Sequence, residues 1–199
     1  MALRVSAALD VPIIYTYHTR YELYSHYVSQ DSPALKRAAL NLALGYCDLC
    51  DADVAPSESM AAFLAAQGVC AAVTVIPTGI DAAKFQNGDG LRMRAELGIP
   101  RSAFVIGHVG RLAPEKNLEF LTASLGAYVS ANAAAHVVVA GQGPLADHMQ
   151  SAFEEIGHAA SLHMLGPVTG SRLADVYASM DVFAFSSHSE TQGLVLAEA

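Results

Sequence analysis

Two cations in one short segment, Arg111 and Lys116, are the residues of this chain best suited to bind an anion. They lie in VGRLAPEKN (109–117), which follows the apolar block Phe104–Val109 and precedes a segment with helical periodicity. A loop that leads from a parallel strand into a helix lies at the carboxyl edge of the sheet, where α/β folds bind ligands. Gly110 lets a ligand approach the backbone, and two fixed cations beside a helix N-terminus suit a pyrophosphate. A solvated surface loop is the alternative.

A second group of candidate residues lies in HSETQGLVLAEA (188–199), which follows the apolar block Val182–Phe185. Glu190 is in the predicted loop and Glu198 is in the helix that comes after it. A carboxylate accepts two hydrogen bonds from vicinal hydroxyls, so both residues suit a sugar or a ribose. The backbone N–H groups that would point at an anion belong to Gly193, Leu194 and Val195. Capping of the helix by the glutamates is the alternative.

His18 follows the apolar block Ile13–Tyr17 and therefore also lies at a carboxyl edge. A histidine can transfer protons near neutral pH, but a lone histidine in a loop is commonly structural. The sequence leaves both interpretations open.

GQGPLA (141–146) fits the dinucleotide fingerprint G-x-G-x-x-G/A after a strand. That fingerprint also needs an acid at the end of the next strand, and the segment 161–166 contains neither Asp nor Glu. Pro144 also removes an N–H group from the phosphate cradle. We therefore interpret the motif as a tight turn.

Two other motifs resemble metal or redox sites. Cys47 and Cys50 have C-x-x-C spacing, but they close a predicted helix, and a zinc site needs four ligands. Asp51 and Asp53 spell D-x-D, a pattern through which some sugar transferases hold a divalent metal, but three residues are a weak signal. We interpret them as helix-end cysteines and as aspartates that flank a strand start.

The elements that position these residues are short apolar blocks separated by longer segments of helical period. The blocks are rich in Val, Ile and Phe, as expected of strands buried on both faces. They are Ile13–Tyr17, Asp53–Ala55, Val73–Ile76, Phe104–Val109, His136–Ala140, His163–Leu165 and Val182–Phe185. This alternation of strands and helices predicts an α/β fold with parallel sheets that are covered by helices on both faces.

Capping residues mark the predicted helix boundaries. Ser32, followed by Pro33, and Ser57 are predicted N-caps. Helices are predicted to end at Gly68, Gly98 and Gly157. The segment PTGIDAAKFQNGDG (77–90) has two turn-forming groups and no apolar block, which predicts a linker between two α/β units.

Composition narrows the class of protein. The chain has 199 residues, of which 53% are hydrophobic and 15% are charged, and these values exclude disorder. A net charge of −8 excludes a basic protein that coats nucleic acid. No apolar run reaches the roughly 18 residues needed to span a bilayer. The start lacks the pattern of a signal peptide, and three cysteines cannot form a disulfide framework, so we expect a cytoplasmic protein.

Together the motifs resemble family 4 of the glycosyltransferases, also called the group 1 glycosyltransferases. The segments that carry this resemblance are VIPTGID (75–81), VGRLAPEKN (109–117), VAGQGPL (139–145), LGPV (165–168), YASMDVFAFSS (177–187) and ETQGLVLAEA (190–199). They follow one another in the same order and at similar intervals as in that family. Two earlier segments resemble its diacylglycerol glucosyltransferase-like members, namely YTYHTRYELYSHY (15–27) and CDADVAPSE (50–58).

The resemblance implies the GT-B architecture, in which two Rossmann-like parallel-sheet domains face each other across a cleft. It assigns residues 1–78 to the acceptor-side domain, residues 79–90 to the linker and residues 91–199 to the domain that binds the nucleotide sugar. The family's N-terminal glycine-rich loop and its later elements have no counterpart in this sequence. Both domains are therefore expected to be incomplete, as in a fragment that lacks both ends.

The resemblance also implies roles for the candidate residues. Arg111 and Lys116 would neutralise the donor pyrophosphate, Gly110 would allow its close approach, and Val168 would lie near the base. Residues that would bind the ribose, the donor sugar and the phosphate are Glu198, Glu190, Gly193, Leu194 and Val195. His18 would face the reacting sugar, so His18 and Glu190 are the catalytic candidates. No metal or other cofactor is implied, because the cations and a helix N-terminus supply the positive charge.

The implied activity is that of a retaining glycosyltransferase. It would move a hexose from a nucleotide-diphosphate sugar of the UDP-glucose or GDP-mannose type to the hydroxyl group of a lipid or glycan. A peripheral contact with the inner face of the membrane is left open, and no nucleic-acid partner is implied. The alternatives are a module that binds a nucleotide sugar without turnover and an NAD-dependent oxidoreductase based on GQGPLA (141–146).

Overall fold

A computed structural model describes residues 2–27 and 32–199. The chain forms two compact units, one of Met1–Gly79 with Ser189–Gln192 and the other of Ile80–His188 with Gly193–Ala199. Each unit has its own parallel sheet with helices packed on it, which confirms the predicted α/β class. None of the described helices is long and apolar enough to cross a membrane.

The first unit is built around a three-stranded sheet with the order β1–β2–β3 and parallel pairing throughout. Its elements are α1 (Ala2–Leu9), β1 (Ile14–Thr16), a 3-10 helix (Tyr21–Tyr27), α2 (Pro33–Cys47), β2 (Ala52–Ala55), α3 (Glu58–Ala66) and β3 (Val73–Val75). The predicted N-caps are confirmed, because the hydroxyl oxygen of Ser32 accepts from the Leu35 N–H group and that of Ser57 from the Met60 N–H group. The buried apolar core consists of Tyr17, Ala43, Cys47, Ala55, Met60 and Leu64.

The second unit is built around a four-stranded parallel sheet with the order β6–β5–β4–β7. Its elements are α4 (Gly90–Glu96), β4 (Phe104–Val109), α5 (Leu118–Ala131), β5 (Ala135–Ala140), α6 (Ala146–Glu155), β6 (Leu162–Met164), α7 (Ser171–Ala178), β7 (Val182–Phe183) and α8 (Leu194–Glu198). Three short 3-10 helices connect them at Ala82–Lys84, Pro114–Lys116 and Ala159–Ser161.

Apolar cores cover both faces of this second sheet. Residues of α5 and α6, including Leu121 and Phe153, pack on one face, and residues of α4 and α7, including Met93 and Val176, pack on the other. Burial on two faces explains why β4 and β5 are solid apolar blocks in the sequence.

The predicted bounds match the observed ones for β4 and differ by one or two residues for the other strands. β7 ends at Phe183 rather than Phe185, although the Ala184 N–H group still donates to the Gly107 carbonyl at 2.7 Å. The helices that precede Gly68, Gly98 and Gly157 end as predicted, and these three glycines have positive φ.

The segment 79–90, predicted as a linker, groups with the second unit from Ile80 onward. The Phe85 ring packs against the Tyr177 ring, with 5.7 Å between their centroids. A Cβ on Gly88 would lie 2.1 Å from the Ala174 carbonyl oxygen, so only glycine allows this approach to α7.

Candidate functional site

The loop after β4 presents the first pair of candidate cations. Arg111 Nη2 lies 2.6 Å from Glu115 Oε1. The Glu115 side chain is only 2% exposed, whereas that of Arg111 is 45% exposed. The buried carboxylate therefore orients the guanidinium while nearly half of the arginine side chain still faces solvent. A guanidinium held in this way is ready to meet an anion without a large loss of side-chain entropy.

The next part of this loop is a single 3-10 turn that ends at Lys116, followed by Asn117 in the left-handed conformation. The Ser186 hydroxyl, in the segment after β7, donates to the Lys116 carbonyl at 2.8 Å, and the Asn117 carbonyl lies 3.1 Å from the same oxygen. α5 then begins at Leu118, as predicted. The segment after β7 thus fixes the backbone that carries Lys116.

A cavity of about 330 Å³ lies at the carboxyl ends of β4 and β5. Its lining comprises Val109, Gly110, Arg111, Ala140, Gly141, Gln142, Pro167 and Val168. The structure therefore brings three of the predicted donor residues, Gly110, Arg111 and Val168, to one cavity. Its size falls at the lower end of the range for small-molecule sites, and it lies at the sheet edge where α/β folds bind ligands.

The glycines of GQGPLA serve the packing of this edge. A Cβ on Gly141 would lie 1.8 Å from the Gly110 carbonyl oxygen, and one on Gly143 would lie 2.2 Å from the Leu112 carbonyl oxygen. Protein backbone, rather than open space for a pyrophosphate, occupies the position next to each glycine. This geometry favours the tight-turn interpretation over a dinucleotide cradle.

α8 carries the predicted ribose ligand. Gly193 precedes the helix with φ of 72°, and Glu198 is its last residue. The Tyr177 hydroxyl donates to Glu198 Oε2 at 2.8 Å, and burial is the main reason why the pKa of Tyr177 is raised, with the Glu198 carboxylate adding to it. The tyrosine therefore keeps its proton and holds the carboxylate in place. Sequence analysis did not identify Tyr177, although the residue begins one of the family segments.

His18 and Glu190 belong to the first unit, and the loop that carries the cations belongs to the second. The prediction assigned residues 91–199 to one domain, but Ser189–Gln192 groups with the first unit. The reason is a set of hydrogen bonds along the carboxyl edge of the first sheet. We call Ser189–Gln192 the edge segment.

The edge segment contacts the chain just beyond each of the three strands. Thr191 Oγ1 donates to the His18 carbonyl at 3.0 Å beyond β1, and Ser57 Oγ donates to the Thr191 carbonyl at 2.6 Å beyond β2. Beyond β3, the Gln192 amide exchanges two hydrogen bonds with the Thr78 backbone, of 2.8 and 3.0 Å. These contacts place Glu190 at the same sheet edge as His18.

The D-x-D and C-x-x-C residues have structural contacts. Asp51 Oδ2 accepts from the Ile13 N–H group at 2.7 Å, and Cys47 is the last residue of α2. Asp53 lies inside the sheet, wholly buried. Burial raises the pKa of Cys47 to about 12, so its thiol is protonated and a poor metal ligand. Across residues 2–27 and 32–199, no three His, Cys, Asp or Glu side chains come together as a metal cluster.

Two family models match the chain. One, described as "Glycosyltransferase Family 4", matches residues 1–84, and the other, described as "Glycosyl transferases group 1", matches residues 103–199. The first of these models covers the strands of the first sheet, and the second covers most of the second unit.

Curated relatives match nearly the whole chain. An alpha-monoglucosyldiacylglycerol synthase of Streptococcus pneumoniae is 29% identical over 100% of this chain and 46% of its own length. A GDP-mannose-dependent alpha-mannosyltransferase of Mycobacterium tuberculosis is 31% identical over 99% of this chain and 48% of its own length. The chain thus spans about half the length of these relatives.

Solved structures share the fold. The Anabaena protein HepE, crystallised in complex with UDP and glucose, superposes with a TM-score of 0.79 at 21% identity. The superposition covers 100% of this chain and 53% of HepE. Such similarity at low identity supports the two-unit glycosyltransferase fold that the motifs imply.

Proposed function

Since the chain belongs to the family 4 (group 1) glycosyltransferases, we propose that it transfers a hexose from a nucleotide-diphosphate sugar to a lipid or glycan hydroxyl group, with retention of anomeric configuration. The observation that carries this proposal is the cationic loop at the edge of the second sheet. Arg111, oriented by Glu115, borders a cavity that a nucleoside diphosphate can enter.

The donor is bound by the second unit. Arg111 and Lys116 neutralise the diphosphate, and the bare backbone of Gly110 lets it approach. The base lies beside Val168, and Glu198 accepts hydrogen bonds from the ribose hydroxyls. The Tyr177 hydroxyl supports this role, because it holds Glu198 in one orientation. The N–H groups of Gly193, Leu194 and Val195 point at the phosphate and the sugar.

The acceptor-side residues are His18 and Glu190. Glu190 binds hydroxyl groups of the donor sugar, and His18 lies next to the reacting carbon. A curated relative that is named for a glycolipid product supports a lipid acceptor, and one that is named for a GDP-mannose-dependent transfer supports a hexose donor. The net charge of −8 disfavours strong adhesion of these 199 residues to anionic lipid.

In the transfer step, the acceptor oxygen attacks the anomeric carbon from the side that the diphosphate leaves. The bond between the anomeric carbon and the phosphate oxygen breaks, and that electron pair stays on the diphosphate. A phosphate oxygen takes the proton of the acceptor hydroxyl. Negative charge grows on the leaving diphosphate, so Arg111 and Lys116 stabilise the transition state more than the bound donor.

The test is turnover by Arg111→Ala and Lys116→Ala variants with UDP-glucose and GDP-mannose as donors and diacylglycerol vesicles or a soluble glycan as acceptors. We expect kcat to fall by roughly 100-fold or more, as it does when a group that stabilises transition-state charge is removed. Arg172→Ala is the matched control, because Arg172 also pairs with a carboxylate, Glu96, at 2.9 Å in the same unit. The anomeric configuration of the product is read by NMR.

Normal turnover in both loop variants would contradict the roles proposed for Arg111 and Lys116. A product of inverted anomeric configuration would contradict the retaining mechanism. Donor binding by the wild-type protein with no transfer to any acceptor would instead favour the non-catalytic binding module.

A further inference from the structure

His108, in β4, is a buried histidine that has no part in the roles above. Its Nδ1 lies 3.0 Å from the carbonyl oxygen of Ala184. A carbonyl oxygen only accepts hydrogen bonds, so Nδ1 carries a proton. In the neutral ring, Nε2 is then a bare acceptor.

Nε2 of His108 faces the loop that carries the candidate cations. It is buried and has no hydrogen-bond partner among the described residues. It lies 3.7 Å from the position of a Cβ built on Gly110, and no other atom outside the adjoining residues comes within 4 Å of that position. Gly110 also lines the 330 Å³ cavity. The unpaired nitrogen is therefore adjacent to a glycine that lines the cavity.

The surroundings keep the ring neutral when no ligand is bound. Burial lowers the pKa of His108, the bond to Ala184 opposes this, and the Lys116 ammonium lowers it again. Phe183 stacks on the ring, with 6.3 Å between the centroids and 11° between the planes. Among the described residues, Lys116 is the charged side chain whose field acts on the ring.

We propose that His108 is a further donor-binding residue. Its Nε2 takes a proton from solvent when a nucleoside-diphosphate sugar binds, and the resulting N–H group donates a hydrogen bond to a diphosphate oxygen. The inference rests on the proposed function, because it needs a diphosphate at this loop. The step balances as a protonation: one N–H bond forms at Nε2, and the buffer acid or hydronium that supplies the proton loses one bond to hydrogen. Nε2 is closed to solvent without ligand, so the loop shifts slightly on binding, within the range that binding commonly causes.

The physical reason is a reversal of the local charge. A diphosphate oxygen has no hydrogen to donate, so a neutral Nε2 beside it would place two acceptors in contact. Protonation removes that conflict. The negative charge of the diphosphate also outweighs the effect of Lys116, so the folded protein with bound donor favours the charged ring.

The experiment measures proton uptake on binding of UDP-glucose and of GDP-mannose by titration calorimetry in buffers of different ionisation enthalpy. The diphosphate of such a donor does not titrate near neutral pH, so uptake reports on the protein. We expect uptake approaching about one proton per donor near pH 7.5, and a Kd that rises by about threefold to tenfold per pH unit between pH 6.5 and 8.

Two variants separate this role from a structural one. His108→Asn places an amide N–H near the position of Nδ1, which keeps the bond to Ala184 but leaves nothing at Nε2. It should bind more weakly at pH 6.5 and take up no proton. His108→Gln places a neutral donor near Nε2, so it should keep part of the affinity without pH dependence. His148→Gln, at an exposed histidine of α6, should behave as wild type.

Donor binding without proton uptake in wild type, or uptake that persists in His108→Asn, would overturn the inference and leave the proposed function intact. Such a result would mean that a water molecule or a sugar hydroxyl donates to Nε2. Failure of both donors to bind would overturn the proposed function, and the inference with it.

Discussion

The two sheets of this chain differ in the length of their strands and in the contacts that hold their carboxyl edges. In the second unit, strands of up to six residues are covered on both faces by apolar side chains, and the charged candidates lie at the carboxyl edge. In the first unit, the strands have three or four residues and pack on one small apolar core, and the Asp53 carboxyl group and the Tyr17 hydroxyl are also buried there.

The difference shows which contacts hold the carboxyl edge of each sheet in place. The second sheet is held by its own core, and its edge loops pack backbone against backbone. The first sheet gains the contacts beyond all three of its strands from the edge segment, which lies far along the chain. We therefore expect the second unit to tolerate polar changes at its edge but not steric ones, and the first unit to respond to changes in charge and hydrogen bonding.

The largest effect is expected from Gly141→Ala in the second unit. The new Cβ would lie 1.8 Å from the Gly110 carbonyl oxygen, and the backbone there has φ of 149°. Overpacking and backbone strain together should lower the free energy of unfolding by about 3 kcal/mol or more. Denaturant unfolding measures this, with Gly157→Ala as the control, since no atom lies within 4 Å of a Cβ there. Equal losses in the two variants would contradict the tight packing of the edge.

A smaller effect of opposite sign is expected from Asp53→Asn in the first unit. Burial raises the pKa of Asp53, and this effect is larger than the opposite effect of the Cys47 thiol. Neither carboxylate oxygen has a nitrogen or oxygen partner among the described residues. A raised pKa means that its contribution to stability is present below the unfolded pKa and is lost as pH rises through the folded pKa. Asparagine has no charge to bury at high pH, so Asp53→Asn should raise the free energy of unfolding at pH 8 by about 1–2 kcal/mol.

The measurement is hydrogen exchange of β2 amides at pH 6 and pH 8. Asp51→Asn changes the same charge at an exposed position and keeps a side-chain oxygen that can accept from the Ile13 N–H group, so it should have little effect. A loss of stability in Asp53→Asn at pH 8 would show that the buried carboxyl group is stabilised by an interaction with its surroundings.

Removal of the Gln192 amide tests the edge segment itself. Gln192→Ala deletes two hydrogen bonds to the Thr78 backbone at an exposed site, which should cost about 1 kcal/mol. The more informative readout is kinetic. Glu190 lies two residues away and is proposed to bind the donor sugar, so kcat should fall while the affinity for UDP, which lacks that sugar, is kept. Gln150→Ala, which removes an exposed glutamine on α6, is the matched control. Unchanged kcat would separate the edge segment from catalysis.

The smallest effect concerns a histidine pair in the second unit. His136 Nδ1 and His163 Nε2 lie 3.0 Å apart on β5 and β6, and burial lowers the pKa of both, with His136 lowering that of His163 further. A lowered pKa gives stability that is full above the unfolded pKa of about 6.5 and is lost as pH falls through the folded pKa.

Below pH 6 the second unit should therefore lose about 1 kcal/mol. His163→Gln should flatten this dependence, as followed by thermal unfolding from pH 5 to 7.5, and the exposed His148→Gln should not. A pH profile that stays the same in His163→Gln would contradict the prediction.

Local patterns made the fold of both units predictable. Ser32 and Ser57 mark helix starts. The mainly apolar block Phe104–Val109 coincides with β4 because burial on both faces favours apolar residues along the strand, with the buried His108 as the exception. The loop with Arg111 and Lys116 was predictable for the same reason, since a strand and a helix flank it directly.

Partners that are distant in sequence were not predictable in this way. Tyr177 meets Glu198, and Ser186 meets Lys116, through tertiary contacts that leave no periodic or spacing signal. The sequence places Glu115 in a loop and does not indicate that its carboxylate is buried and orients Arg111. The edge segment was assigned to the second domain because it follows β7, and only its hydrogen bonds place it with the first unit.

The edge segment also bears on the order in which the chain can acquire its structure. Thr191 lies 173 residues from His18, and Gln192 lies 114 residues from Thr78. No continuous N-terminal stretch short of the edge segment contains all the contacts of the first unit, so during synthesis that unit begins to emerge before the second but is completed only after most of the second has emerged. Closing such long loops is slow. Until the edge segment arrives, the backbone groups beyond β1, β2 and β3 are open to solvent and to chaperones.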